Sequence, residues 1–245
     1  MRRGAIVRLV TIGLLAGLAA ATVAIFIPWL PAQQSREAGR IDFVFWFVVT
    51  ICIAVFAIVA AVIVYSVVKF RAPPDDDSDG PPIHGHTGIE ITWTAVPAAL
   101  VTAIAIVSAV ALAENGKLKA NRLKVDVTAQ QFAWHFKYPQ YGGFSSDELR
   151  LEAGRQVELR LRALDVIHSF WVPEFRQKQD AVPGIETTLP ITPTKPGTHT
   201  LMCAELCGLG HATMRAPVIV MRKGAFERWA RSQQSRSGSA AGASG

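Results

Sequence analysis

Three apolar runs occupy the first 115 residues, and no run of comparable length follows them. Leu9 to Leu30 comes after a basic start, Phe43 to Phe70 carries no charge before Lys69, and Ile91 to Leu112 carries none. The second and third runs exceed the roughly 20 residues a helix needs to cross the hydrocarbon core. Both are apolar on every face, the pattern of a spanning helix rather than an amphipathic one. The first run reads equally as a signal sequence or as an extra spanning helix. Its length exceeds a signal peptide's core of about 7–15 apolar residues, while Ala19-Ala20-Ala21 would suit a peptidase. Both readings stay open for residues 1–32.

From Leu123 the period changes from continuous to alternating. Lys124 to Thr128, Gln156 to Arg162 and Ala216 to Met221 alternate apolar and polar positions, as half-buried strands do. Gly142-Gly143, Ala153-Gly154, Pro183-Gly184 and Pro196-Gly197 punctuate the runs as turns. Short strands at this spacing predict a β-sandwich or barrel. The expected organisation is a transmembrane helical hairpin over 33–117, with spans near 43–70 and 91–112. A β-domain follows over 118–223, and a short helix with a disordered tail over 224–245. The loop from Arg71 to Ile89 is rich in Pro, Gly and Asp. Lys69 and Arg71 place it in the cytoplasm by the positive-inside rule, so the β-domain lies on the outer side of the membrane.

Composition changes this picture little. Half of the 245 residues are hydrophobic and the formal net charge is +6. The basic residues are scattered, with no Lys/Arg run interleaved with aromatics, which excludes nucleic acid as a partner. Three cysteines are too few for a disulfide framework. Cys52, inside an apolar run, reads as a small hydrophobe.

The candidate chemistry lies in one segment. Cys203, Cys207, His211 and Met214 bring two sulfurs, an imidazole and a thioether into twelve positions. Soft sulfur ligands with imidazole favour copper. One cysteine with His and Met would make a mononuclear site, whereas two thiolates can bridge two metal ions. His168, about 35 positions earlier, supplies a second imidazole. A Cys203–Cys207 disulfide would leave His211 and Met214 unexplained, and a zinc site would have no use for Met214. His84, His86, His135 and His199 read as loop or strand residues without a ligand role.

The run Cys-x-Glu-x-Cys-x3-His-x2-Met resembles the copper loop of cytochrome c oxidase subunit II, and the likeness extends over about residues 40 to 223. The resemblance implies a membrane-anchored, mainly β fold: a transmembrane helical hairpin followed by a cupredoxin-like β-barrel. It implies a dinuclear copper centre, CuA, held by His168, Cys203, Cys207, His211 and Met214, with Glu205 contributing its backbone carbonyl. It further implies that the Glu205 carboxylate reaches a magnesium ion shared with the catalytic subunit. The partners implied are a haem-bearing catalytic subunit I, other oxidase subunits, cytochrome c and the lipid membrane. The site implied is a bacterial plasma membrane, with the copper domain periplasmic. Electrons would come from cytochrome c and leave for haem in another chain, where oxygen becomes water.

Two further blocks match with qualifications. Gly88 to Pro97 places Glu90 at the mouth of a spanning helix. It is either a dipole-favoured carboxylate or, by the resemblance, a group through which protons enter. Gln131 to Tyr138 resembles the aromatic strand over which cytochrome c docks. The family's electron-accepting tryptophan falls at Phe132, with Trp134 two places on and, in a strand, on the same face. The remaining alternatives are a membrane-tethered copper-delivery protein, the copper subunit of a nitric-oxide-reducing relative, and a quinol oxidase subunit. The last of these would lack the ligands seen here.

Overall fold

Helix α1 spans Arg3–Phe26, α2 Arg36–Lys69 and α3 Thr87–Asn115 in a computed structural model that describes residues 3–76, 79–80 and 82–242. Arg2 of the basic start, and Asp77 and Pro81 of the loop from Arg71 to Ile89, lie outside the described residues. All three helices are long and apolar enough to cross a membrane. α2 and α3 each begin several residues before the apolar run that predicted them. The extra turns are polar, and hydropathy does not mark them. Gly13 and Gly17 of α1 lie against Ala57 and Ala61 of α2, where an added Cβ would sit about as close as ordinary packing permits. Small residues at such a crossing let two backbones approach in an apolar medium.

The chain divides into two compact units, Met1–Trp29 with Phe43–Val110, and Leu30–Asp42 with Ala111–Gly245. The second unit holds ten strands: β1 Leu123–Gln130, β2 Ala133–Tyr138, β3 Phe144–Ser146, β4 Leu149–Glu152, β5 Val157–Ala163, β6 His168–Trp171, β7 Lys178–Ala181, β8 Thr187–Ile191, β9 Gly197–Cys203 and β10 Arg215–Met221. They form two five-stranded sheets, ordered β3-β2-β1-β5-β8 and β4-β10-β9-β6-β7. β1 shows why the sequence chooses strand here: its burial alternates at every position, with Leu123, Val125, Val127 and Ala129 inward. The core joins Trp134, Phe136, Leu159 and Leu161 of one sheet to Phe170, Leu201 and Val218 of the other. Tyr138 crosses this core to Arg150, donating to its carbonyl at 3.0 Å and accepting from its amide at 2.7 Å. Burial pushes the Tyr138 phenol far above its usual range.

The segment before α2 is part of the β-unit. Ser35 bridges to Pro193, Gln34 donates to the Glu174 carbonyl at 3.0 Å, and Arg36 donates to the Thr192 carbonyl at 2.9 Å. The buried Glu37 carboxylate accepts from both the amide and the hydroxyl of Thr192, each at 2.8 Å. The buried Arg176 guanidinium pairs with Asp42 at 2.7 Å. Ser35 caps α2 by accepting from the Ala38 amide at 3.1 Å. These bonds form a strap over one edge of the domain.

One expectation needs correcting. The C-terminal helix α4 runs Lys223–Gly242, where a short helix followed by a disordered tail was expected over 224–245. Phe226 and Ala230, one turn apart, are fully buried, and the Trp229 ring meets Tyr138 and Phe144 edge-on at 5.3 Å. Between that anchor and Gly242 the chain contains no proline, so every backbone amide there stays available to the helix.

Candidate metal centre

His168 opens β6, Cys203 closes β9, and Met214 immediately precedes β10. β6 and β9 pair with Phe170 opposite Cys203, and β9 and β10 pair with Met202 opposite Arg215. Cys203 donates its amide to the Met214 carbonyl at 3.1 Å, and Ala204 donates to the Ser169 carbonyl at 2.9 Å. The sheet thus clamps both ends of the loop and fixes His168 beside it. Within the loop, short turns carry His211 to Gly208 and Met214 to His211. Gly208 has φ +128°, a conformation that excludes other residues at little cost only to glycine. A Cβ on Gly210 would stand 2.5 Å from the Phe132 ring, so that glycine lets Phe132 lie on the loop.

The sulfurs of Cys203 and Cys207 are 3.8 Å apart, far beyond the roughly 2.05 Å of a disulfide. His168 Nδ1 lies 3.9 Å from the Cys203 sulfur. His211 Nδ1 and Met214 Sδ each lie 3.7 Å from the Cys207 sulfur. The Glu205 carbonyl oxygen is 3.3 Å from the Cys203 sulfur. Two ligands bound at about 2.0–2.3 Å on tetrahedral directions stand roughly 3.3–3.8 Å from each other. The donor atoms therefore stand at about the spacing of groups that could hold a metal ion. His168, Cys203 and Cys207 form the tightest group, all buried, with their donor atoms within 4.8 Å of one another. Burial, and then the neighbouring Cys203 sulfur, push the Cys207 thiol up to about 11. A metal bound there must displace that proton.

Asp165 organises the approach from behind. Its Oδ1 lies 2.9 Å from His168 Nε2, and its other oxygen accepts the Gln131 amide at 2.7 Å. A carboxylate can only accept, so Nε2 carries the proton and Nδ1 is left as the free lone pair facing Cys203. Burial opposes charge on Asp165, but the His168 ring with the Gln131 and Val166 amides outweighs it and holds the carboxyl below its usual range. Gln131 also donates from Nε2 to the Cys207 carbonyl at 2.5 Å, tying the β1–β2 turn to the loop. Sequence reasoning passed over Asp165 and Gln131. The spacing Asp-x-x-His before β6 was the available signal.

The aromatic strip divides. Phe132 lies in the turn between β1 and β2, 40% exposed, whereas Trp134 on β2 is 2% exposed. The two do not share a strand face, because the strand starts only at Ala133. Trp134 packs edge-on against His168 at 6.1 Å and Phe170 at 6.0 Å between ring centres. Phe136 is buried as well. In the other unit, Glu90 accepts the His86 amide at 3.1 Å and so caps the start of α3. The Glu205 carboxylate makes no ion pair or hydrogen bond among the described residues, and His211 joins the group through Cys207 alone. His135 lies 2.8 Å from Asp147 and His199 3.5 Å from Glu174, both away from the sulfurs.

Two family profiles match the chain, described as cytochrome c oxidase subunit II transmembrane domain over residues 25–110 and periplasmic domain over residues 147–222. Cytochrome c oxidase subunit 2 of Thermostichus vulcanus is 35% identical over 258 residues, covering 84% of this chain and 78% of that protein. The Synechocystis protein of the same description is 32% identical over 247 residues, covering 82% and 74%. Among solved structures, the periplasmic domain of cytochrome oxidase subunit II from Bradyrhizobium japonicum aligns with a TM-score of 0.46 at 27% identity, over 49% of this chain and 97% of that one.

Proposed function

Because the chain belongs to the cytochrome c oxidase subunit II family, a membrane-anchored component of a haem–copper oxidoreductase with a periplasmic β-domain, we propose that it holds the copper centre through which electrons reach that enzyme. The ligands are the side chains of His168, Cys203, Cys207, His211 and Met214 with the carbonyl of Glu205. One observation carries the reading: two unbonded thiols 3.8 Å apart, with one imidazole beside each. Cys203 and Cys207, with the two imidazoles and Met214, would hold a copper pair there, which would supply one-electron transfer with little change in geometry.

The chain's own residues do the rest. Asp165 holds His168 in the tautomer that leaves Nδ1 free. Met214, buried, offers a weak thioether. Trp134 and Phe170 wall the site with apolar surface and limit water, which tunes the potential. Phe132, lying on the loop glycines, is the ring between the centre and solvent, and Trp134 sits behind it against His168. Cytochrome c is the donor in this reading, and haem in the catalytic subunit is the acceptor. The further assignments, magnesium at the Glu205 carboxylate and protons entering at Glu90, draw on the family likeness. For Glu90, the capping bond to His86 favours a structural role.

A copper-delivery protein would purify free of a haem-bearing partner, whereas this reading expects a stable complex. Metal analysis of that complex should return two coppers per chain from this subunit above those of the catalytic subunit. Cys207→Ser should remove the pair. Two coppers retained after Cys207→Ser would defeat the bridging assignment.

A further inference from the structure

α1 and α2 lie side by side and run in opposite directions. Gly13 stands against Ala57 and Ala61, and Gly17 against Ala57, so the start of α1 meets the end of α2. There Val7, Arg8 and Thr11 of one helix face Tyr65, Val68 and Lys69 of the other across a cavity of about 450 Å³. That volume suits a small ligand or the polar part of a larger one. The Tyr65 ring is held edge-on to Phe70 at 6.3 Å between ring centres. Val7 and Val68 are largely exposed, so the cavity is open to whatever surrounds the helices.

α2 starts in the strap of the outer domain and is long enough to cross a membrane, so Lys69 emerges on the cytoplasmic side. Arg8 stands there with it. No acid lines the cavity. None occurs in the sequence before Glu37, nor between Asp42 and Asp75. Among the described residues neither Arg8 nor Lys69 has an ion pair or a hydrogen bond. Topology alone places cations on this side of a membrane. It does not require two of them, from different helices, to converge on one cavity with two hydroxyls. Basic pockets between spanning helices on the cytoplasmic side are where anionic head groups bind.

We propose that this cavity holds one anionic phospholipid of the cytoplasmic leaflet, and that α1 stays on the protein as one of its walls. Arg8 and Lys69 take the phosphate from opposite helices, and the Thr11 and Tyr65 hydroxyls are further donors to its oxygens. The acyl chains leave past Val7 and Val68 into the bilayer. The occupant is anionic because two cations share the cavity with no acid to balance them. A zwitterionic head group brings its own cation and leaves both uncompensated. It is a lipid rather than a free anion because the walls are valine and open where acyl chains stand. The site is built from the helices alone, so it stands or falls apart from the copper reading.

The test uses the complete oxidase complex in nanodiscs of phosphatidylcholine, with a trace of phosphatidylglycerol that carries a photoreactive acyl chain. After illumination, peptide mapping should find the label on residues 7–12 and 65–69. Unlabelled phosphatidylglycerol should compete at least about tenfold better than phosphatidylcholine, because two cations act on the charged head group. Inorganic phosphate should not compete. Arg8→Gln and Lys69→Gln should each weaken the preference for phosphatidylglycerol about fivefold. Val7→Trp fills the cavity and leaves both cations in place, so it should remove the label. Tryptophan is at home at this depth, so the helix should tolerate it. Equal competition by the two lipids, displacement by inorganic phosphate, or unchanged labelling in all three variants would overturn the proposal. So would a mature subunit whose mass begins after α1. So would a wild-type complex in which these segments take no label, which would give the face to another subunit.

Discussion

The His168 ring can offer either nitrogen to the sulfurs, and the Asp165 carboxylate decides between them by accepting from Nε2. Asp165→Asn should therefore lower copper affinity about 10- to 100-fold, the usual effect of removing a partner behind a metal-bound histidine. Competition with a chelator measures it, and an unchanged affinity would show that the sheet alone orients the ring. Met214→Leu removes only the weak thioether, so both coppers should stay while the midpoint potential shifts in a redox titration. Loss of one copper would make Met214 a structural ligand. The two sulfurs, His211 and Met214 were legible in the sequence because their chemistry sits in one short run. His168 was legible because the run needs a second imidazole. Asp165 and Gln131 were not, because an Asp or Gln three dozen or more positions from the loop gains its meaning only when β1, β6 and β9 come together. Phe132 and Trp134 were misjudged as face-sharing because the period of two holds only inside a strand, and the strand begins between them.

At the scale of elements, the strap and the last helix hold the frame around the centre. Arg176 is 6% exposed and pairs with a largely buried Asp42. Arg176→Ala should destabilise the β-unit by about 3–5 kcal/mol, chiefly by leaving a buried carboxylate uncompensated. Chemical denaturation of the full chain in detergent measures the loss, and a change below about 1 kcal/mol would mean that water reaches the pair. Phe226→Ala should cost a similar about 3–5 kcal/mol, because the ring is fully buried between α4 and the sheets. The strap was not legible, and of the last helix only the start was. The strap is a polar stretch between two apolar runs, and its partners Thr192, Pro193 and Glu174 lie more than 130 positions away. α4 was read too short because Ser and Gly suggest disorder, and composition does not register the aromatic anchor at Phe226 and Trp229.

Across the whole molecule, the division of labour follows from solvent. The first unit satisfies its backbone within helices and buries almost nothing, as an apolar medium requires. The second unit alternates apolar and polar positions because one face of each sheet meets a core. That contrast was plain in the sequence because hydropathy and period are local properties. The two units together give the chain a membrane anchor and an outer domain that carries a buried cluster of soft ligands. The central claim is that this cluster binds two copper ions that act as one redox unit. Electron paramagnetic resonance of the copper-loaded protein, oxidised and at full occupancy, tests it most directly. One electron spread equally over two copper nuclei gives a hyperfine pattern of seven lines, and that pattern is the result expected. A four-line spectrum, from an electron held on a single copper, would contradict it.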